Sequence, residues 1–300
     1  MKKKVMKEST AWQIGAHTVM IIGSLLAILP FILLVIASFT DNQTALVNGY
    51  SFTPEKWSLE AYQYIASEWA TIGRAYLMTI LVTVIGTALS LVITSTFAFA
   101  VSNDKLPGHK ILMFLCIFTM LFNGGLVASY YVYSNIFHIK NTIWALIVPT
   151  FLMSPFNVVL VKNYFSNSIS PSILEAARMD GAGVFAVFTK IVMPLSVPIM
   201  ATVGLMTAIS YWNDWTNGLY YLTENGGSQY YTIQLVLNRI NENINFLANN
   251  SDVAAKAAQQ LPSTTMRMAI AVIGILPIMC AYPFFQKYFV KGITLGGVKE

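Results

Sequence analysis

Six apolar runs dominate this 300-residue chain, and each is long enough to cross a bilayer. They cover Ile14–Phe39, Ile72–Val101, Ile111–Tyr133, Thr142–Val161, Ile191–Tyr220 and Met268–Val290. A membrane helix needs about 20 mostly apolar residues. In lipid the backbone has no water to bond to, so such runs must satisfy their own N–H and C=O groups as helices. Charged residues make up only 10% of the chain, against about 25% in a soluble domain. So few charges could not cover a 33.2 kDa globule in water. The expected fold is an all-α integral membrane protein with six transmembrane helices.

Lys2, Lys3, Lys4 and Lys7 precede the first run, as they would in a signal peptide. The run is longer than a signal core of about 7–15 residues, and it is expected to stay as a span. Lys and Arg flanking the spans set orientation. With the N-terminus in the cytoplasm, twelve of the 18 basic residues fall inside, among them Lys105, Lys110, Lys162, Arg178 and Lys190. Lys56, Arg74, Lys140, Arg239, Lys256 and Arg267 fall outside. Both termini are therefore expected in the cytoplasm, as tails of residues 1–13 and 291–300. The transmembrane domain is expected over 14–290, with an inner loop at 162–190 and outer segments at 40–71 and 221–267.

The net charge of +5 is scattered between the runs rather than gathered in one patch, which speaks against nucleic acid as a partner. Cys116 and Cys280 lie in separate apolar runs and read as soft hydrophobes rather than a disulfide or metal pair. His17, His109 and His138 show no ligand spacing. In the first outer segment, Thr53-Pro54-Glu55 is a helix-start pattern. Trp57, Tyr62, Tyr64 and Trp69 follow it, as on a helix lying at the outer interface. The second outer segment is polar and Asn-rich, with Asn238, Asn241 and Asn243, and reads as a cap or loop.

The inner loop is the most informative segment. Ser170 can cap a short helix with Pro171 at its first position; alternatively Ser172 and Glu175 form a capping box. Gly181 fits a left-handed stop. Ile173, Ala176, Ala177 and Asp180 follow the i, i+3, i+4, i+7 pattern of one helix face. About ten residues make a marginal helix in water, so its stability must come from packing. Held on the cytoplasmic side, such a helix would act as a lever on the two spans it joins.

Glu175-Ala176-Ala177, then Gly181, then Ile191 and Pro194, resemble the Glu-Ala-Ala motif of permease subunits in binding-protein-dependent ABC importers. The spacing agrees throughout, and Met193 stands where the motif has Leu, a volume-conserving swap. Asn123-Gly124-Gly125-Leu126, Asn141-Thr142-Ile143-Trp144, Tyr211-Trp212-Asn213-Asp214-Trp215 and Tyr282-Pro283-Phe284-Phe285 are similar to the carbohydrate (MalG-like) branch, closest to LplC-type polysaccharide and aldouronate permeases.

The resemblance implies a type I ABC importer permease fold in the bacterial cytoplasmic membrane. It implies that Glu175, Ala176, Ala177, Asp180 and Gly181, with Ile191 and Pro194 behind them, couple to a separate ATPase subunit. The partners it implies are a second homologous permease, two ATPase subunits, an extracellular solute-binding protein, an oligosaccharide cargo and membrane lipid. The sequence has no Gly-x-x-x-x-Gly-Lys-Ser/Thr. The chain is therefore expected to be no enzyme and to bind no cofactor, with ATP and Mg used by the partner ATPases.

For the sugar path, aromatic faces and hydrogen-bonding groups are wanted. Tyr211, Trp212, Asn213, Asp214 and Trp215 supply both, Asp214 being expensive to bury in lipid without a role; Asn123 and Tyr130 are further candidates. Trp and Tyr also gather at membrane interfaces without touching cargo. A non-sugar cargo such as peptides would suit the same machine. An ion-coupled secondary transporter would need ionisable residues deep in several spans and repeated halves, and the sequence has neither. A membrane enzyme would need a metal cluster, a nucleophile elbow or paired carboxylates.

Overall fold

The computed structural model describes residues 10–249 and 263–297. The N-terminal lysines, the stretch around Lys256 and the last three residues lie outside the described residues. Among the described residues the chain is helical, with one isolated antiparallel bridge between Thr40 and Trp57. It divides into two units, residues 1–69 with 240–276, and residues 70–239 with 277–300.

In the first unit, α1 (Thr10–Ser38) carries the first apolar run, and its described side chains are exposed over most of its length. After it the chain turns sharply. Asp41 accepts from the Thr44 N–H and hydroxyl at 3.2 Å each and pairs with Lys56 at 3.3 Å, which starts α2 (Asn42–Asn48). Burial pushes the Asp41 carboxyl up, but these bonds outweigh it and hold the pKa below its ordinary value. Tyr62 of α3 (Glu60–Ser67) stacks on Phe39 at 4.7 Å and meets the Ser38 hydroxyl at 2.8 Å. The helix expected at Thr53-Pro54-Glu55 thus begins at Glu60, where the Ser58 hydroxyl accepts the Glu60 N–H at 3.1 Å.

The second unit is built on α4 (Trp69–Val101). This helix is apolar all round, yet it buries one face of small residues: Ala75, Thr79, Gly86, Ser90, Thr94 and Ala98. Such faces let helix backbones approach closely in lipid, where apolar side chains alone give no reason to associate. Tyr211 of α12 (Val197–Trp212) lies over Gly86 so closely that a Cβ there would sit 2.5 Å from its ring.

Among the described residues, two helices, Trp12–Ser38 and Trp69–Val101, are long and apolar enough to cross a membrane by themselves. The third expected run is broken: α5 (His109–Leu121) and α6 (Gly125–Tyr131, running on in a π turn to Ile136) meet at 119°. The fifth is broken too. A helical stretch over 184–195 meets α12 at 79°, and α12 stops at Trp212 rather than continuing to Tyr220. The fourth expected run, 142–161, is not one helix. It holds only α7 (Trp144–Ile147), then a non-helical passage to Ser154, then α8 (Pro155–Ser168). Pro149 has no N–H to extend the helical ladder, and Ser154 is held extended before Pro155, as the proline ring demands.

The broken backbone finds partners on the long helices. The Tyr211 hydroxyl donates to the Ile147 carbonyl at 2.8 Å, and the Ser90 hydroxyl to the Phe151 carbonyl at 3.1 Å. Thr79 Oγ1 accepts the N–H of Ile233, the first residue of α15 (Ile233–Asn249), at 2.8 Å. The cap or loop expected around Asn238 is this helix. The last run lies within a helix over Ser263–Gly297.

Gly86→Ala tests this framework. The Tyr211 ring is buried and tethered through its hydroxyl, so it cannot swing away. The substitution is expected to destabilise the protein by about 1–3 kcal/mol, read as a lower midpoint in thermal unfolding of the detergent-solubilised protein. An unchanged midpoint would mean that the Gly86–Tyr211 contact is not what fixes the α4–α12 approach.

Candidate functional site

The inner loop folds as α9 (Pro171–Met179), with Ser170 as the residue before it and Pro171 in its first turn. Of the two starts open in the sequence, the structure takes the Ser170–Pro171 one. The Ser170 hydroxyl meets that of Ser172 at 2.7 Å rather than capping a backbone N–H. The end is a Schellman turn. The Ala182 N–H reaches the Ala177 carbonyl at 2.9 Å, the Gly181 N–H reaches the Arg178 carbonyl at 3.1 Å, and Gly181 sits at φ +82°.

One side of α9 is packed. Leu174, Ala177 and Ala182 lie against a core of Ala98, Cys116, Val158, Val161, Phe165 and neighbours. The other side is free. Ile173, Glu175, Ala176, Arg178 and Asp180 are exposed, and Met179, Val184 and Phe185 are 87%, 73% and 78% exposed. The face expected from spacing therefore splits: Ala177 turns to the core, while Ile173, Ala176 and Asp180 look out. Ile191 lies in a π turn over Phe188–Val192, and Pro194 is exposed just before the 79° bend at Ser196. Beyond the fourth run, Tyr164 donates to the Leu195 carbonyl at 3.2 Å, and burial raises its phenol pKa.

A groove of about 260 Å³ runs beside α9. It is lined by Asn103, Asp104 and Lys105 of the α4–α5 turn and by Leu174, Glu175 and Arg178. In that turn, the Asp104 carboxyl group lies 3.6 Å from Nε2 of His109, the first residue of α5.

The candidates for a cargo path do not form one surface. Tyr211 and Trp212 are buried, Tyr211 on Ile147 and Trp212 against an apolar groove of about 530 Å³ shared with Thr83, Thr87 and Gly204. Asp214 is 8% exposed and its carboxylate is committed. Oδ1 accepts the N–H groups of Thr216 and Asn217 at 3.1 and 3.2 Å, and Oδ2 accepts from Asn217 Nδ2 at 2.8 Å. The same carboxylate starts α13 (Thr216–Tyr221). Asn213 and Trp215 face outward. Asn123 is exposed and turns its Oδ1 back to the Gly125 N–H at 2.7 Å. Tyr130 accepts a hydrogen bond from Lys140 at 2.7 Å, a partner that sequence spacing had not linked to it. Among the described residues, no cluster of three or more His, Cys, Asp or Glu could hold a metal ion.

The model of the family "binding-protein-dependent transport system inner membrane component" matches residues 13–295. The chain belongs to this family. It is 37% identical over 276 residues to the polygalacturonan/rhamnogalacturonan transport system permease protein YtcP of Bacillus subtilis (strain 168), covering 92% of this chain and 94% of that one. To Protein LplC of the same organism it is 34% identical over 274 residues, covering 91% and 90%. It also resembles a chain in the crystal structure of a bacterial ABC transporter involved in the import of the acidic polysaccharide alginate. That match has a TM-score of 0.78 and 28% identity, and covers 93% of this chain and 96% of that one. The fold is that of an ABC importer permease, and the chain is a membrane component that works with a binding protein and an ATPase rather than an enzyme in itself.

Asp214→Ala would leave two N–H groups of α13 and the Asn217 amide without their acceptor. It is expected to destabilise the protein by about 2 kcal/mol, and Asp214→Asn, which keeps one acceptor, by less. Thermal unfolding in detergent reads both. Wild-type stability in the alanine variant, with impaired transport, would favour a cargo contact over this structural role.

Proposed function

We propose that this chain is one of the two membrane-spanning subunits of an ATP-driven oligosaccharide importer, and that α9 is its coupling helix. The observation that carries the reading is a short helix fixed at both ends, backed by a core on Leu174 and Ala177, with Glu175, Met179 and Phe185 left uncovered. Apolar side chains this exposed on a cytoplasmic loop suit a protein groove better than water. Oligosaccharide cargo is supported by the polygalacturonan/rhamnogalacturonan permease YtcP and by the alginate transporter.

On this reading six spans place both termini inside, and the bent pairs at 119° and 79° are broken spans. Glu175, Ala176, Asp180 and Gly181 meet the ATPase, with Ala177, Ile191 and Pro194 supporting them from behind. A second permease completes the pathway, two ATPases hold ATP and Mg, and an extracellular binding protein delivers the sugar. Closing of the ATPases on ATP favours the outward-facing arrangement. Nucleotide shifts that equilibrium only by its differential affinity for the two states. Asn213, Trp215, Asn123 and Tyr130 are the cargo-facing candidates, and Tyr211, Trp212 and Asp214 are their scaffold.

ATP hydrolysis by the reconstituted importer tests the coupling helix. Sugar-loaded binding protein is expected to stimulate the wild type. Glu175→Arg and Phe185→Asp should each lower stimulation, or ATPase association, about tenfold or more, since a charge misplaced in a closed interface costs about 2–5 kcal/mol. If both variants assemble and couple like the wild type, α9 is not the docking element.

A further inference from the structure

Three described residues other than glycine take positive φ, and all fall between 138 and 150: His138 at 54°, Asn141 at 58° and Thr150 at 69°. Side chains with a Cβ avoid this region, and an observed outlier is a reason to look for function. The turn around Lys140 is clamped in this conformation. Asn141 Oδ1 accepts the Thr223 N–H at 2.7 Å and the Thr223 hydroxyl at 3.1 Å, while the Asn141 N–H reaches the Tyr221 carbonyl at 3.0 Å. Gly226 and Gly227 press so near that a Cβ on either would come within 3 Å of the Asn141 side chain.

The clamp places Lys140 on Tyr130. Its Nζ donates to the phenol at 2.7 Å and lies 5.4 Å from the ring centroid. The Tyr130 ring stacks on buried Tyr221 at 5.8 Å and 9°, and half-buried Tyr133 meets Tyr221 edge-on at 5.9 Å. Among the described residues no carboxylate lies within 4 Å of Lys140. The phenol gives Lys140 a hydrogen bond but no counter-charge, beside aromatic faces of the kind a pyranose ring covers.

We propose that Lys140 and Tyr130 form a subsite for the carboxylate of a uronic-acid unit, selecting acidic over neutral oligosaccharides. The inference rests on the oligosaccharide-importer reading and adds the residue that tells charged sugars from uncharged ones. Lys140 supplies the charge, the phenol fixes where that charge stands, and the rings of Tyr130 and Tyr133 take the sugar face. A carboxylate that binds here replaces water on Lys140 with a charge-assisted bond. A neutral sugar of the same shape gains nothing from the ammonium.

The test uses the complete importer in proteoliposomes, with partner permease, ATPases and saturating binding protein. The probes are trigalacturonate and its fully methyl-esterified form, which differ in charge at nearly constant shape. Lys140→Met is expected to lower the ATP-dependent uptake rate of the acid about tenfold and that of the ester less than twofold. Lys140→Arg should keep most acid uptake, and Tyr130→Phe should lose part of it, because the ring stays and the anchor goes. Equal loss for both probes in Lys140→Met would make Lys140 a structural or binding-protein contact and overturn the proposal. So would an unchanged acid rate, or a wild type that carries the ester but not the acid. A wild type with no ATP-dependent uptake of any oligosaccharide would overturn the importer reading, and this subsite with it.

Discussion

A backbone group in lipid that lacks a partner costs several kcal/mol, and the second unit is arranged around that cost. Three of its expected spans are interrupted, and each interruption exposes carbonyl and N–H groups that a continuous helix would satisfy. From α12 and α4, Tyr211 and Ser90 reach two carbonyls of the fourth run, and Thr79 accepts the first N–H of α15. The same side chains make close packing possible. Thr79 and Ser90 are small enough to lie on the buried face of α4, beside Gly86, on which Tyr211 rests. Polar satisfaction and small-residue packing are thus one solution, and a larger or less polar side chain at these positions would lose both together.

The same economy shapes α9. Nine residues do not hold a helix in water, and Pro171, the Gly181 turn and the contacts of Leu174 and Ala177 stand in for length. What results is a stiff element with half its surface open. Its open side is mixed in character, with Glu175, Arg178 and Asp180 among Ile173, Met179 and Phe185. For the proposed ATPase contact, charges arranged this way would set orientation and exclude wrong partners more than they would add affinity.

Much of this was legible in the sequence, for identifiable reasons. The α1 and α4 spans announce themselves because unbroken apolarity and helix length coincide. The ends of α9 were readable because Pro and Gly restrict the backbone locally, whatever surrounds them. Breaks inside apolar runs were not read, because hydropathy reports what a residue is dissolved in and not whether its helix continues. The signals were nevertheless present: Gly124-Gly125 at one bend, Ser196 with Pro198 at another, and Pro149 and Pro155 in the fourth run. Asp214 shows a related gap: its burial is costly, and Thr216 and Asn217, two and three residues on, offer N–H groups that offset the cost, a cap before a helix that hydropathy does not report. The Lys140–Tyr130 pair depends on a turn with positive φ at His138 and Asn141; these residue types take that region more readily than most, but type alone does not say which side chains the turn brings together.

Two cores divide the second unit. One gathers Ala98, Val161, Val187 and Val203 beside α9, and the other gathers Val82, Ile147, Tyr211 and Tyr221 near the Lys140 turn. Among the described helices, α4 and α12 contribute to both, and the non-helical passage of the fourth run joins them, with Phe151 and Leu152 on the second core and Met153 on the first. Along α4, Val82 and Ala98 are separated by about 24 Å at 1.5 Å per residue. The shorter elements each belong to one core: α8 and α9 to the first, α7 and α13 to the second. The packed routes from α9 to the Lys140 turn therefore run along α4, along α12 and through that passage. Of these, α12 meets its preceding segment at 79° with buried Ser196 at the joint, whereas α4 is unbroken. A stiff strut beside a jointed one is the arrangement in which force at one end becomes rotation rather than translation at the other. The hydroxyl bonds from Tyr211 and Ser90 to the broken fourth run are where that rotation would be passed on, because they tie the two long helices to the segment that carries the second core.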